Sequence, residues 1–507
     1  MTDASLRWSD AAEEAARIAE GWRDAEPGGA IILFDADSTR SEACGGLADL
    51  ASGARFTPET VSRYASISKH LFASFLIGCD RAPALDDPLG AHLGGLAGAT
   101  AAVTAGRALD MTGGLHDVRE TLSLLGVALA TPCDAGAILD LCRAIPDTNF
   151  PAGTEISYSN TGYRLLDMAM RAKGLHFQED LDRRVNRPLG LSLRAPELWT
   201  EPVKNLAPGY WKSADDWRTG LSGMHLSASG CVAGSGRDLA RWLQALMADR
   251  DPARGVLARL SAQRRLNDGR STAYGLGLAR TRLGGRTLFG HGGSHPGYKA
   301  YFLVDPEARA GVAFVANRED AASFPIALRV MAALLGETPP EAGCNLREGL
   351  YATEDGPFWL EVRNGTAAFL GTAETLYRAS DGASVSLSAH FPMRLRQDGD
   401  AIAGEIGHVA RRFRPAPIGL ADPEGLAAAQ GEWRCAAFRA GFAVEDDRFI
   451  MGIGPTITEA RLIALGGGRF IGETPDGPWP KRFCLAVGNG EARLASNRSR
   501  ILRFRRG

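Results

Sequence analysis

The chain has 507 residues, 45% of them apolar and 23% charged, with a formal net charge of −2 at pH 7. Such a length predicts about three domains with a sizeable core, and the near-neutral balance does not point to nucleic acid or an anionic membrane surface as the main partner. No run approaches the roughly 18 apolar residues of a membrane span, and the first thirty residues lack the apolar stretch of a secretory signal. Eight scattered cysteines without a CxxC pair predict thiols in a reduced, cytoplasmic compartment rather than a disulfide frame.

In chain order, the apolar periodicity predicts a helix over 11–22 and a short strand over 30–34. A helix follows Ser66, with Leu71, Phe72, Phe75 and Leu76 as its apolar stripe. Helical patterns dominate from there to about residue 335, including 239–247 and 326–335. Strands return at 299–304 and 311–316, separated by the turn Asp305-Pro306-Glu307-Ala308. A sheet built from both ends of this region, packed against a helical interior, accounts for the order. After Pro339-Pro340 the helical period fades. Short alternating runs broken by Asp-Gly, Asn-Gly and Gly-Gly then predict antiparallel barrels or sandwiches. A second seam over 415–425 divides this part in two, and Gly349-Leu350-Tyr351 and Gly431-Glu432-Trp433 open the two pieces alike, which hints at duplication.

Three segments carry candidate chemistry. The chain holds only six lysines among its 57 basic residues, and Lys69 stands three positions after Ser66. Helical spacing puts both side chains on one face, and a desolvated lysine can lose its proton as arginine cannot. Ser66 is thus a candidate nucleophile and Lys69 its base; the plain alternative is a solvated lysine on a surface helix. Tyr158-Ser159-Asn160 is the only Tyr-x-Asn in the chain; its phenol could relay a proton and its amide could fix a lysine or a carbonyl. The alternative is a loop tyrosine beside a capping asparagine. Third is Gly290-His291-Gly292-Gly293-Ser294-His295-Pro296-Gly297-Tyr298. Its glycines and proline argue against a helical zinc pair at His291 and His295. They allow either a close backbone approach or a tight turn.

In this order and spacing the chain resembles the serine β-lactamase and penicillin-binding-protein superfamily, whose motifs are S-x-x-K, Y-x-N and K/H-x-G. Gly230 to Trp242 is similar to that family's Gly-rich turn before an R-D-L-A-R helix, and the likeness runs over about residues 15–335. Met111 replaces the histidine common in the His-Thr-Ser-Gly-Leu segment of relatives, and His291 stands where many have lysine. A largely neutral imidazole attracts a substrate carboxylate less than an ammonium does, which weakens the case for a β-lactamase or strict carboxypeptidase. The layout resembles that of the superfamily's D-stereospecific serine aminopeptidases.

The resemblance implies an α+β fold: an antiparallel sheet flanked by helices plus an all-helical region over 1–338, then two antiparallel eight-stranded barrels over 339–418 and 419–507. It implies an acyl-enzyme on Ser66, with Lys69 and Tyr158 as general base and acid, Asn160 holding Lys69 and the substrate amide, and His291 and Gly293 beside the third strand. The Ser66 and Ser294 N–H groups would form the oxyanion hole. Asp476, in the loop 472–480 of the last barrel, would pair with the ammonium of an N-terminal D-residue. No metal or organic cofactor is expected. The expected partner is a small peptide or amino-acid amide or ester, with a homodimer allowed and neither nucleic acid nor membrane. Esterase, D-amino acid amidase, DD-peptidase and β-lactamase activities share this site, and a non-catalytic penicillin-binding receptor is the rival of another class.

Overall fold

A computed structural model describes residues 6–214, 216–416, 422–453 and 456–507. The expected border at 418/419 lies outside the described residues. The chain forms two compact units: Met1–Asp87 with Tyr163–Arg264 and Ser271–Pro340, and Pro88–Gly162 with Arg265–Arg270 and Glu341–Gly507. The segment holding Tyr158 and Asn160 therefore clusters with the barrel region.

The first unit is built on six antiparallel strands: β1 Gly29–Asp35, β2 Thr39–Gly45, β3 Ala279–Leu283, β4 Arg286–His295, β5 Tyr298–Asp305 and β6 Ala310–Ala316, in the order β2-β1-β6-β5-β4-β3. As expected, the sheet joins the two ends of the region, with β1 paired to β6 from Gly29↔Ala316 to Asp35↔Ala310. β6 is buried along its whole length, so its apolar run is continuous rather than alternating, because both faces are covered. Helices α1 Trp8–Glu20 and α4 Ser323–Leu335 pack together on the sheet. Trp22, just after α1, meets Phe314, whereas Gly236 at the start of α3 (Gly236–Ala248) abuts Ile32 and Val315. Phe314 and Val315 are successive strand residues and point to opposite faces, so α3 covers the other side. A reciprocal cap starts α3: Ser235 Oγ accepts the Asp238 N–H, and Asp238 accepts from Ser235. Such a cap is worth about 1 kcal/mol.

The sequence pattern misses β4. Glycines depress β-propensity, so the segment is open to a close backbone approach or a tight turn, and Phe289–His295 pairs regularly with β5. The turn is confined to Pro296-Gly297, where Gly297 has φ +83°.

In the second unit, short helices occupy 98–143, and two barrel-like sheets follow. The first is a closed eight-stranded barrel running from Gly349–Ala352 to Val409–Pro415, its first and last strands paired at Tyr351↔Pro415. The second is a nine-stranded sheet from Gly431–Cys435 to Leu502–Arg506, again with first and last strands paired, at Trp433↔Arg506. Its two outer edges approach each other without pairing, which leaves it nearly closed. The suspected duplication has a physical counterpart. Tyr351 donates its hydroxyl to the carbonyl of Arg347, and Trp433 donates its indole N–H to that of Ala429, both four residues back. Among the described residues, no helix is long and apolar enough to cross a membrane.

Candidate active site

Ser66 lies in the 3₁₀ turn Ala65–Ile67 that runs directly into helix α2, Ser68–Ile77. From 62 to 76 every residue is buried except Ser66, which is partly exposed. A hydroxyl therefore looks out of an otherwise closed segment. Ala65 adopts φ +49°, a left-handed conformation that costs an L-residue about 1–2 kcal/mol. Neighbouring bonds hold it: Ser68 Oγ donates to the Ala65 carbonyl at 2.7 Å and accepts the Val232 N–H at 2.8 Å.

Lys69 is 0% exposed. Its Nζ lies 3.1 Å from Ser66 Oγ and 2.6 Å from the Ser229 carbonyl oxygen, and sits over the Tyr163 ring. The solvated-lysine alternative does not hold. Burying an ammonium is costly unless it is well bonded, so this site places the amine where transfer of the Ser66 proton is geometrically direct.

Strand β4 runs beside this turn. A Cβ on Gly293 would stand 2.0 Å from the Tyr64 carbonyl oxygen, so only glycine permits the approach. His291 is 3% exposed. Its Nδ1 lies 2.6 Å from the Gly292 carbonyl and its Nε2 lies 2.8 Å from the Tyr274 hydroxyl. The carbonyl requires a proton on Nδ1, and Nε2 faces the Tyr274 hydroxyl. His295 brings its Nε2 to 2.8 Å of the Gly230 carbonyl. Burial, with Arg63, Lys69 and Arg164 nearby, pushes its pKa down to about 3 against the pull of that carbonyl, so it is neutral. Ser294 Oγ accepts from Lys299 Nζ at 2.8 Å, and Lys299 pairs with Glu319 at 2.7 Å.

The Y-x-N motif has its own surroundings in the second unit. Tyr158 is 8% exposed, its ring centroid 4.7 Å from that of His390 and 4.8 Å from the Arg498 guanidinium carbon. Met111, with φ +64°, accepts the Ser157 N–H on its carbonyl and the Ser159 N–H on its sulfur, thereby bracing both sides of Tyr158. Asn160 donates its backbone N–H and its Nδ2 to Asp117 Oδ2, at 2.7 and 2.9 Å. Burial disfavours the charged form of Asp117, but Arg498, the N–H groups of Asn160 and Glu120, and Lys481 together hold its pKa below the usual carboxylate value.

Asp476 is only 6% exposed. Its carboxylate accepts from Arg119 at 3.0 Å, from Ser123 Oγ at 2.9 Å and from the Leu129 N–H at 2.7 Å. These bonds dock the 475–480 loop onto the helix Val118–Leu124 and occupy both oxygens assigned above to a substrate ammonium.

Sequence reasoning missed Ser229, Tyr274, Met111 and Asp117 as supports. Asp117-Val118-Arg119-Glu120 does carry a helix-start pattern. Ser229 acts through its carbonyl, which leaves no residue signature. Among the described residues, no group of three or more His, Cys, Asp or Glu side chains is gathered as for a metal ion.

The chain is similar in sequence and fold to several known proteins. The chain is 28% identical over 319 residues to a D-aminopeptidase of Brucella anthropi, covering 61% of this chain and 59% of that one. It is likewise 28% identical over 322 residues to a D-aminopeptidase of Brucella ovis, covering 62% and 60%. The chain thus matches about three fifths of the length of these relatives. In fold it is similar to the octameric penicillin-binding protein homologue from Pyrococcus abyssi, with a TM-score of 0.55, 17% identity and coverage of 96% and 97%. It is also similar to the D-amino acid amidase from Ochrobactrum anthropi SV3, with a TM-score of 0.51, 23% identity and coverage of 65% and 97%. A family model described as Beta-lactamase matches residues 15–336, most of the chain, and the protein belongs to that family.

Proposed function

We propose that the protein is a serine hydrolase that releases small N-terminal D-residues from peptides, amides or esters through an acyl-enzyme on Ser66. The observation that carries the acyl-serine chemistry is the fully buried Lys69 amine 3.1 Å from the Ser66 hydroxyl. The curated relatives named D-aminopeptidase support the stereochemistry.

Ser66 Oγ attacks the substrate carbonyl as its proton passes to Lys69. The Ser66 and Ser294 backbone N–H groups receive the developing oxyanion, each worth about 10²–10³ in rate. Tyr158 delivers the proton to the leaving amine, while Asn160 holds Lys69 and the substrate amide. Water then attacks the ester by the reverse proton path. His291, tied to Tyr274, supports the site beside the third strand.

A second reading has the same chemistry without a requirement for a free α-amine, as in an amidase or esterase. It is favoured by the occupation of Asp476 by Arg119, Ser123 and Leu129. Release of p-nitroaniline from D-alanine and L-alanine p-nitroanilides, by wild type and Ser66→Ala in parallel, tests both. D-selective turnover lost in Ser66→Ala supports the first reading. Cleavage of p-nitrophenyl acetate through Ser66 without D-selective turnover moves the function to the second.

A further inference from the structure

The Y-x-N asparagine is held by an acid that lies outside the three motifs. Asp117 is 1% exposed, and its two oxygens divide their work. Oδ1 caps the helix Val118–Leu124 by accepting the Glu120 N–H at 3.1 Å. Oδ2 takes both the backbone N–H and the Nδ2 of Asn160. An ionised carboxylate can only accept, so the Asn160 amide has one permitted orientation: NH₂ toward Asp117, Oδ1 away from it.

The last barrel holds this acid. The turn 496–500 delivers the Arg498 carbonyl to the Asp117 N–H at 2.9 Å, while the Arg498 N–H and Ser496 Oγ bond Glu120 Oε2 at 2.7 and 2.6 Å. The Arg498 guanidinium lies over the Tyr158 ring. Ser499 Oγ contacts His116 Nδ1 and Thr121 Oγ1 at 3.1 and 2.9 Å.

We propose that Asp117, braced by the 496–500 turn, is a positioning residue that fixes the Asn160 amide so that Asn160 acts through its carbonyl oxygen, as a hydrogen-bond acceptor. Asn160 Oδ1 then engages N–H donors, an ammonium or a substrate amide N–H, while Asp117 takes one of the two Nδ2 hydrogens. The inference rests on the acyl-serine reading but not on its D-selectivity.

A double-mutant cycle on p-nitrophenyl acetate tests it. Asp117→Ala is expected to lower kcat by roughly 10–100-fold with KM changed by less than about threefold, the loss of a charge-assisted bond that orients a catalytic amide. In an Asn160→Ala background the same change is expected to cost less than about threefold, because the residue it acts through is gone. Losses that multiply in the double variant, or no loss in Asp117→Ala, overturn the proposal. Asp117→Asn keeps the shape, places a donor against a donor, and carries the same cycle if the alanine variant fails to fold. Wild type and Ser66→Ala, run alongside, report separately on the acyl-serine reading. A spectrum of ¹⁵N-asparagine-labelled protein gives a readout independent of activity. One Asn160 side-chain proton is expected downfield in wild type and to lose that shift in Asp117→Asn; equal spectra overturn the assignment.

Discussion

Replacing Asp476 by alanine separates two roles that a loop carboxylate can play. Its oxygens hold Arg119, Ser123 Oγ and the Leu129 N–H. The Arg119 side chain is 11% exposed and its Nε already lacks a hydrogen-bond partner among the described residues. Removing the carboxylate leaves a buried guanidinium without its paired counter-charge, Asp117 being the other acid acting on it, which costs about 3–5 kcal/mol. A loss of that size is a large share of the roughly 5–15 kcal/mol that holds a domain folded. For a unit of this size it lowers the unfolding midpoint by roughly 6–20 °C. Asp476→Asn retains a carbonyl acceptor and is expected to lose about half as much. The assay is a thermal melt of both variants, alongside kcat/KM on D-alanine p-nitroanilide and on its N-acetyl derivative below the melting range. The expected result is a large stability loss with an unchanged ratio between the two substrates. A midpoint within about 1 °C of wild type, together with loss of free-amine preference, refutes the structural assignment and returns Asp476 to the substrate.

Lys69→Arg keeps a charge that cannot be released; acyl transfer is expected to fall by about 10³-fold or more, with KM little changed, by steady-state kinetics on p-nitrophenyl acetate. Gly293→Ala forces a methyl against the Tyr64 carbonyl and is expected to cost about 1–3 kcal/mol in chemical denaturation and to lower kcat. Burial pushes the pKa of His70 and His116 down to about 4, with Arg500 adding to the effect at His116. The unfolded chain binds these protons near pH 6.5 and the folded one does not. Stability is therefore full above that pH and falls as pH drops from 6.5 toward 4, by on the order of 2 kcal/mol per histidine; thermal melts against pH check the slope, which His70→Phe should flatten. Glu374 works oppositely: burial raises its pKa to about 7, with Ser388 and Arg498 pulling down. Its folded carboxyl keeps a proton that the unfolded chain releases, so it costs stability as pH rises from 4.5 to 7, and Glu374→Gln should raise the melting point at pH 8 but not at pH 4.

The Ser66–Lys69 pair was legible because spacing and rarity are local facts. Helical geometry alone brings Ser66 and Lys69 to one face, and a lysine in an arginine-rich chain stands out. The Y-x-N and G-H-x-G segments were found only as members of an ordered set, since each alone reads as an ordinary loop. What sequence could not disclose depends on chain segments far apart. Arg119 claims Asp476 from 357 positions away, so a stiff loop with an acid in it looked available to substrate. Strand β4 itself was not legible, because its glycines answer to the close approach of the Tyr64 carbonyl and not to strand propensity. The repeat hint carried more than its three matching positions, because the aromatic residues in both openings lock their strands to a carbonyl four residues back.

The strain at Ala65 explains why so much fixed structure surrounds one serine. A left-handed alanine persists only where its neighbours over-determine it. Here Tyr64 donates its N–H to the Val232 carbonyl, Val232 donates to Ser68 Oγ, and Ser68 Oγ donates back to the Ala65 carbonyl. This ring of bonds closes around the strained residue. Gly293 seats β4 against the same turn, and Ser229, close to Val232 in sequence, gives Lys69 its carbonyl. One short stretch, 229–232, therefore sets both the backbone bearing Ser66 and the amine beside it. Displacement of that stretch moves Ser66 and Lys69 together, which preserves their 3.1 Å spacing while changing how the pair is aimed. Since a misplacement of about 1 Å can cost 10²-fold in rate, substitutions in 229–232 should act on kcat through orientation, with the Ser66–Lys69 hydrogen bond left intact.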